Sequence, residues 1–301
     1  MIMHRPNILI IGLGEIGYNN AEYMSGRGLN VDGYDISKQA LHRALSNRAI
    51  QKKAETFEGY DYYVICVSTH SSRNMFSPSF DGLFQIARRL RCEGEEDSLV
   101  ALESTVTKGT SKKMMQILGG KMHLAHVPHR FYAAEKEVHG VRQMRVLGGC
   151  RPCCTRKALD FYREILDVPV HVANSVEVAE LSKVVENSHR FMEIAFAEEL
   201  KMLCTAHNLS FEELRAAVNS KWNVEILEAR QGIKGHCLPK DAQMYIELSR
   251  QVEAPSIIAS AKKIDEKYRK SLAKRPDIKM IVPTALSEVI TTRRQGQPYR
   301  R

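Results

Sequence analysis

The stretch Asn7-Ile-Leu-Ile-Ile-Gly12-Leu-Gly14-Glu-Ile-Gly17 decides the fold of this chain. Its first five residues are a continuous run of mostly apolar side chains, which is typical of a strand buried on both faces of a parallel sheet. Three glycines follow at GxGxxG spacing, and a helical pattern continues to about Gly28. A second strand, Asn30-Val-Asp-Gly-Tyr-Asp35, then ends in an acid. Strand, glycine turn, helix, strand and acid in this order predict a dinucleotide-binding unit.

The glycine turn also predicts how a cofactor is held. Glycines let the backbone approach a pyrophosphate, and the N-terminus of the following helix favours its negative charge. A carboxylate at Asp35 would accept from the ribose 2′-OH and repel a 2′-phosphate, so we expect NAD rather than NADP. The predicted cofactor-binding residues are Gly12, Gly14, Glu15, Ile16, Gly17, Asp35, Ser68, Thr69 and Thr105.

Alternating apolar and helical stretches continue the same architecture. We predict further strands at Tyr62–Val67, 98–102, 122–127, 145–149 and 168–172, with helices at about 79–91 and 154–166 between them. This alternation predicts an α/β fold with a parallel, doubly wound sheet, whose ligand site lies at the carboxyl ends of the strands. Ser68, Thr69, Thr105 and His129 all follow such strand ends.

The second half of the chain has helical periodicity only. Asn174 and Glu177 resemble a capping box, and the pattern then runs to about His207 with apolar residues, Ala195 among them, at mostly three- and four-residue spacings. Ser210 and Glu213 predict the cap of a shorter helix, and two more helices are predicted at about 242–252 and 256–273. A long helix with an apolar stripe is a plausible dimer interface. We therefore predict a Rossmann domain at 1–174, a helical dimerisation domain at 175–273 and a basic tail at 274–301.

Composition limits the function classes. The chain has 301 residues, 44% apolar and 26% charged, with no signal-peptide pattern and no run long enough to span a membrane. Its seven cysteines fit reduced thiols in a cytoplasm better than a disulfide framework. The net charge is +9, but the basic residues are not interleaved with aromatic residues as they are on a nucleic-acid-binding surface. An anionic small substrate or cofactor explains the positive charge equally well.

One cysteine cluster and one single cysteine are candidates for function. Cys150-Arg-Pro-Cys153-Cys154 resembles half of a zinc site, but no second Cys/His pair stands at ligand spacing, so we expect a strand-to-helix turn and no metal. Cys237 lies in Gly232-Ile-Lys-Gly235-His-Cys237-Leu-Pro-Lys-Asp241, where glycines permit tight turns against a ligand. By itself it is a nucleophile or a buried structural cysteine.

Taken together, the motifs resemble the UDP-glucose/GDP-mannose dehydrogenase family over about residues 7–270. The matching pieces are the glycine turn with Asp35, Glu103-Ser-Thr-Val106, Arg145-Val-Leu-Gly-Gly149, Ala179-Glu-Leu-Ser-Lys183-Val-Val-Glu-Asn187 and Gly235-His-Cys237-Leu-Pro-Lys-Asp241. The resemblance implies a Rossmann domain, a helical dimerising domain and oxidation of a sugar primary alcohol to a carboxylate, with Cys237 forming a thiohemiacetal and then a thioester.

The resemblance also implies roles for individual side chains. Lys183 and Asn187, four residues apart on one helix face, would stabilise negative charge on the substrate oxygen. Lys183 would favour the Cys237 thiolate, and Asp241 would organise water or accept protons. The alternative for Lys183 is a surface lysine that extends its ammonium group into solvent. The alternative for Asn187 is a core or capping amide. Thr105 and His129 complete the predicted catalytic set.

Several positions depart from the family pattern. His129 stands where the family has the glutamate linked to thioester hydrolysis, so it would be a base near neutral pH or the hydrolytic half is altered. Lys234 replaces a glycine, and Trp222-Asn223 stands where an arginine reaches into the partner's site. Members of the resembled family also have a third domain that binds the nucleotide. No motif of such a domain is found in this sequence, so we expect weak binding of free UDP.

These observations lead to one preferred function and two alternatives. The preferred function is NAD-dependent oxidation of a primary alcohol, nucleotide-sugar-like, by a cytoplasmic homodimer. The alternatives are an NAD dehydrogenase for a different small alcohol or aldehyde, and a non-catalytic NAD-binding subunit of a larger assembly. Retention of Cys237, Lys183, Asn187 and Asp241 together argues against the last of these.

Overall fold

The computed structural model describes residues 5–71, 74, 77–132 and 135–273. Seven strands form one sheet in the order β2-β1-β3-β4-β5-β6-β7. They are β1 Asn7–Ile11, β2 Asn30–Tyr34, β3 Tyr62–Ile65, β4 Leu99–Leu102, β5 His123–His126, β6 Arg145–Gly149 and β7 Val170–Val172. Strand β1 pairs in parallel with both β2 and β3, so the chain order reverses there. This strand order confirms the predicted α/β fold class. Ligands of open α/β sheets bind at such a switch point.

Helices cover both faces of the sheet and then form the second half of the molecule. The flanking helices are α1 Glu15–Gly26, α2 Lys38–Ser46, α3 Asp81–Glu93, α4 Thr110–Leu118 and α5 Pro152–Leu159, which continues as the π-helical segment Asp160–Ile165. The helical half contains α6 Val176–Ala206, α7 Phe211–Asn219, α8 Cys237–Ser249 and α9 Ile257–Ala273. Because β1 is buried on both faces, Ile8 and Ile10 join one core layer while Leu9 and Ile11 join the other.

The prediction of an all-parallel sheet is wrong at β6. This strand runs antiparallel to β5, with Ala125 opposite Gly149. A parallel connection needs a crossover of a dozen or more residues, usually a helix. In the described part of 127–144 no α-helix forms, so the chain folds back beside β5 instead. As a result, the carboxyl end of β6 lies at the edge of the sheet opposite the glycine turn.

Two helix starts also differ from the sequence-based expectation. Helix α6 is capped by Ser175, whose side chain accepts from the Val178 N–H, and not by Asn174. Helix α8 begins at Cys237, five residues before the predicted start at about 242. The predicted cap at Ser210 of α7 is confirmed. The predicted basic tail at 274–301 lies outside the described residues.

Within the described ranges, no helix combines the length and the apolar character needed to cross a membrane.

Candidate active site

The glycine turn after β1 is built from two obligatory close approaches. Gly12 has φ +94, and a Cβ there would lie 2.8 Å from the backbone of Cys66 on β3's extension. A Cβ on Gly17 would lie 1.7 Å from the Gly12 carbonyl oxygen, so α1 could not pack against the turn. A Cβ on Gly14, by contrast, would meet nothing within 4 Å. The turn therefore presents an exposed backbone at the N-terminus of α1, which fits a pyrophosphate.

Asp35 lies where β2 ends, with its carboxylate held beside the glycine turn. Its Oδ2 accepts from the Leu13 N–H at 2.6 Å and its Oδ1 accepts from the Ser37 N–H at 2.7 Å. Each carboxylate oxygen has a second acceptor position, so the group can still take hydrogen bonds from a ribose diol. The residues at this switch point thus fit NAD.

A buried lysine that sequence reasoning quoted but did not assign joins the two halves of the molecule. Lys240 on α8 donates to the Thr69 hydroxyl at 3.1 Å, and Thr69 donates to the Thr105 carbonyl at 2.7 Å. Ser68 beside them is exposed. Lys240 is only 5% exposed, so its charge needs a partner, which Asp241 Oδ1 provides at 3.2 Å. This chain of contacts fixes the start of α8 over the carboxyl ends of β3 and β4.

The four side chains predicted to carry the chemistry come together at the start of α8. Asn187 on α6 donates to Asp241 Oδ2 at 2.5 Å, and Asp241 is 1% exposed. Burial lowers the pKa of Lys183, whereas the nearby charges of Glu186, Asp241 and Cys237 favour its protonated form. Lys183 and Asn187 are therefore interior groups of a cleft and do not extend into solvent.

Cys237 occupies the first position of α8, where the helix N-terminus favours a thiolate. Surrounding protein nevertheless raises the pKa of its thiol, mainly by displacing water, and Asp241 adds to this. Lys240 and Lys183 lower the pKa of the thiol in return. Glu15 in the glycine turn also raises the pKa of the thiol. The Cys237 residue itself is exposed.

Two histidines beside the cysteine were missed from the sequence. His236 Nε2 lies 3.5 Å from Cys237 Sγ, and the His70 ring stacks edge-on against His236 at 5.5 Å between centroids. Ser68 Oγ lies 2.6 Å from His70 Nδ1. The pKa of His70 is lowered, first by burial and then by the His236 and Lys240 charges. A histidine adjacent to the cysteine in sequence was visible, but only the fold brings His70 to the same place.

His129 belongs to a buried polar network and does not stand free in the cleft. Its Nδ1 accepts from the Phe131 N–H at 2.8 Å, and its Nε2 lies 3.2 Å from Asn20 Oδ1. Burial, together with the Arg145 and Lys183 charges, holds the pKa of His129 well below its usual range. The expectation of a base that titrates near neutral pH is therefore corrected. His129 stays neutral there, with both ring nitrogens engaged.

The same network includes Glu103 and Arg145, the first residues of two of the family-like motifs. Glu103 accepts from Tyr162 at 2.6 Å and from Asn20 at 2.7 Å, and its Oε2 lies 3.1 Å from Arg145 Nη1. Glu103 and Arg145 are both buried, so each neutralises the other's charge. These motif residues thus support the floor of the site without facing the cleft.

The fold and this site define the class of Rossmann-type dehydrogenases. Residues 177–267 match the model of the UDP-glucose/GDP-mannose dehydrogenase family, central domain. The chain is 27% identical over 289 residues to UDP-N-acetyl-D-mannosamine dehydrogenase of Pyrococcus horikoshii, which covers 86% of this chain and 68% of that protein. It is 27% identical over 297 residues to the enzyme of that name from Escherichia coli (strain K12), covering 88% and 70%.

Solved structures agree with these relatives. The UDP-D-ManNAc dehydrogenase of Pyrococcus horikoshii matches with a TM-score of 0.78 at 26% identity, over 89% of this chain and 70% of that one. A 3-hydroxyisobutyrate dehydrogenase of Mycobacterium tuberculosis has a TM-score of 0.67 at 14% identity, over 90% and 94%, which shows the fold alone. The chain is thus similar to the UDP-glucose/GDP-mannose dehydrogenase family, by its central domain and by relatives that match most of its length, and it is an oxidoreductase of the dehydrogenase class.

Proposed function

We propose that this protein oxidises the primary alcohol of a nucleotide sugar to a carboxylate with NAD as oxidant. The observation that carries the proposal is the cluster of Cys237, Lys183, Asn187 and Asp241 at the start of α8. UDP-N-acetyl-D-mannosamine dehydrogenases are the relatives that support a nucleotide sugar as substrate.

NAD would be held by the glycine turn and Asp35, and it supplies the acceptor for the hydrides that such an oxidation releases. The conversion of an alcohol to an acid removes two hydrides, so two NAD molecules are consumed per substrate. In the first half, the alcohol loses a proton from its oxygen and a hydride from its carbon, for which NAD would be the acceptor, and it becomes an aldehyde. The ammonium of Lys183 and the amide of Asn187 are the donors available to a substrate oxygen that becomes negative.

The second half depends on the thiol. The Cys237 thiolate adds to the aldehyde carbon, forms a C–S bond and moves the carbonyl electron pair to oxygen, which gives a thiohemiacetal in its alkoxide form. After loss of the second hydride this carbon is a thioester. Water then adds to it, the C–S bond breaks, and the carboxylate leaves as the thiol is restored. Asp241 and His236 are the groups beside the sulfur that can hold that water or take its proton.

The test is NADH formation against a panel of UDP-sugars, GDP-mannose, free sugars and simple alcohols. We expect turnover with a nucleotide sugar and two NADH per molecule of substrate consumed. One NADH per substrate would contradict the thioester mechanism. Turnover confined to a simple alcohol would favour a different small substrate, which is the second candidate. No turnover with any member of the panel would favour a non-catalytic subunit.

A further inference from the structure

A second cluster of reactive side chains lies on the edge of the sheet opposite the candidate active site. His123 begins β5, and Cys153 and Cys154 lie in the first turn of α5. The antiparallel pairing of β6 with β5 is what delivers the start of α5 to the amino end of β5. The dinucleotide site lies at the carboxyl ends of the parallel strands, so this cluster is remote from it.

The cluster has the geometry and the atoms of a metal site. One ring nitrogen of His123 and the Sγ atoms of Cys153 and Cys154 all lie within 4.8 Å of one another. Tetrahedral zinc, with Zn–S of about 2.3 Å and Zn–N of about 2.0 Å, places its ligand atoms roughly 3.5–3.8 Å apart. Small rotations of the side chains therefore suffice to bring the three atoms onto one ion.

His123 is already oriented as metal-bound histidines are. Its Nε2 lies 2.7 Å from Asp97 Oδ1, and the carboxylate of Asp97 is also paired with Lys157 at 2.8 Å. A proton on Nε2 leaves Nδ1 as the nitrogen with a free lone pair. Nδ1 is buried and has no hydrogen-bond partner among the described residues. In protein zinc sites a histidine usually binds the metal through one ring nitrogen and donates the N–H of the other ring nitrogen to a carboxylate.

The positions of the two cysteines also suit a metal. Cys153 and Cys154 occupy the second and third positions of α5, and a metal binds cysteines as thiolates, which releases one proton from each. Arg151 interacts electrostatically with Cys154, while Lys157 is neutralised by Asp97. Two thiolates and one divalent cation balance each other, so the site carries no net charge of its own. Cys153 is exposed, which leaves a fourth position open to water.

We propose that His123, Cys153 and Cys154 bind one Zn²⁺ ion, with Asp97 orienting the histidine. Thiolate and imidazole are the donors that zinc prefers among divalent ions, and its tetrahedral geometry accepts three protein ligands and a water. The ion links the amino end of β5 to the start of α5. The sequence offered no second ligand pair near the cysteines. The third ligand is His123, which precedes them by about 30 residues and which only the fold brings to them.

The test measures zinc directly on the full chain. After removal of bound metal with a chelator, the protein is titrated with Zn²⁺ in competition with a chromogenic chelator, and with Co²⁺ to detect thiolate-to-cobalt charge transfer and tetrahedral d–d bands. We expect one equivalent of zinc per chain and a tetrahedral cobalt spectrum with sulfur ligands. Cys153→Ser should weaken binding by at least a hundredfold, and Asp97→Asn by roughly 10–100-fold as outer partners of zinc ligands do.

Cys92→Ser is the matched control, because Cys92 is also exposed but lies on α3. It should bind zinc as the unaltered chain does. Cys153 and Asp97 have exposed side chains, so neither variant should unfold, and circular dichroism checks this. Less than a tenth of an equivalent of zinc, or zinc that persists unchanged in both Cys153→Ser and Cys154→Ser, would overturn the proposal.

Discussion

At the scale of single residues, the balance of charges around Cys237 determines how reactive its thiol is. Burial and Asp241 raise the pKa of the thiol, while Lys240 and Lys183 lower it. Removing Lys183 as Lys183→Met should therefore raise the pKa and reduce the thiolate fraction at neutral pH. One pKa unit changes that fraction about tenfold. The rate of alkylation by iodoacetamide, read by mass spectrometry at Cys237, should fall severalfold.

Two internal comparisons make this alkylation experiment decisive. Exposed Cys92 should react at the same rate in every variant, and Lys183→Arg, which keeps a cation, should restore most of the rate at Cys237. Cys237→Ala should abolish acid formation and leave NAD binding intact. An unchanged alkylation rate in Lys183→Met would show that the two groups are not coupled, and acid formation by Cys237→Ala would end the thioester mechanism.

Asp35 should set the choice between NAD and NADP. Its carboxylate stands at the end of β2 beside the glycine turn, where it would repel a 2′-phosphate. We expect NAD to bind more tightly than NADP, and Asp35→Ala to narrow the ratio by at least tenfold in calorimetric titrations. Ser37→Ala is the control, because it removes the cap of α2 in the same loop and leaves the carboxylate. Equal affinities for the two dinucleotides in the unaltered chain would contradict the expectation.

Glu198 should make the stability of the helical half depend on pH. Burial raises the pKa of this carboxyl from 4.5 to about 7, and Asp265 adds to the effect. Between these two values the unfolded chain releases the proton while the folded chain keeps it. The free energy of unfolding should therefore fall as pH rises from about 4.5 to 7, by up to roughly 3 kcal/mol.

Glu198→Gln tests that pH dependence. Urea unfolding at pH 8 should show the variant to be more stable by up to about 3 kcal/mol, with little difference near pH 4. Glu199→Gln is the control, since Glu199 is the neighbouring residue and its side chain is exposed. The same slope of stability against pH in Glu198→Gln and in the unaltered chain would show that this carboxyl does not titrate in the range.

At the scale of elements, Glu180 joins helix α6 to helix α4. Its buried carboxylate accepts from the N–H groups of Gly109 and Ser111, both at 2.6 Å, at the N-terminus of α4. Carboxylates satisfy the free N–H groups there and complement the helix dipole. The glutamate of the Ala179-Glu-Leu-Ser-Lys183 motif is thus a joint between the two halves, and it precedes Lys183 by one turn.

Removing that joint should loosen the cleft. Glu180→Gln keeps one acceptor oxygen and loses the charge, so we expect the free energy of unfolding to fall by about 1–3 kcal/mol. Thermal unfolding followed by circular dichroism measures the loss. Glu177→Gln, one turn earlier on α6 and paired with exposed Lys112, should cost less than about 1 kcal/mol. Equal losses in both variants would contradict a special role for Glu180.

At the scale of the whole molecule, α6 carries an apolar line that the rest of the described chain leaves exposed. Val178, Val185, Phe196 and Leu203 are 46–55% exposed and differ in helical angle by about 20° only. Ala195, which the sequence grouped with them, points about 100° away and is buried. Over 25 residues the line extends roughly 38 Å. We predict that two copies of the chain pair along it.

Charge placed on this line should separate the copies. Val185→Glu combined with Phe196→Glu is expected to convert dimers to monomers in sedimentation velocity, because two carboxylates would be buried against an apolar surface. Helix content should not change, since both side chains are exposed in the single chain. Val252→Glu introduces the same charge at an exposed apolar position outside α6 and should leave the mass unchanged. A monomeric unaltered chain would contradict the prediction.

Local patterns in the sequence determined the glycine turn between β1 and α1 and singled out the groups that we propose to react. The run at 7–11 with its three glycines fixes β1, the turn and α1, because a buried strand and obligatory glycines leave little choice of conformation. The four-residue spacing of Lys183 and Asn187 put both on one helix face before any contact was known. The start of α8 at Cys237 was not predicted, because Pro239 can stand in a first helical turn as well as end a loop.

Contacts between distant segments were decided only by the tertiary structure. The direction of β6 is set by how residues 127–144 fold back, and it carries the cysteines of α5 to His123. Lys240 reaches Thr69 across 171 positions of sequence, and His70 meets His236 in the same cleft. Such pairings follow from the packing of α6 against the sheet and of α8 against α6. No spacing along the chain records them, because they join residues that periodicity treats as independent.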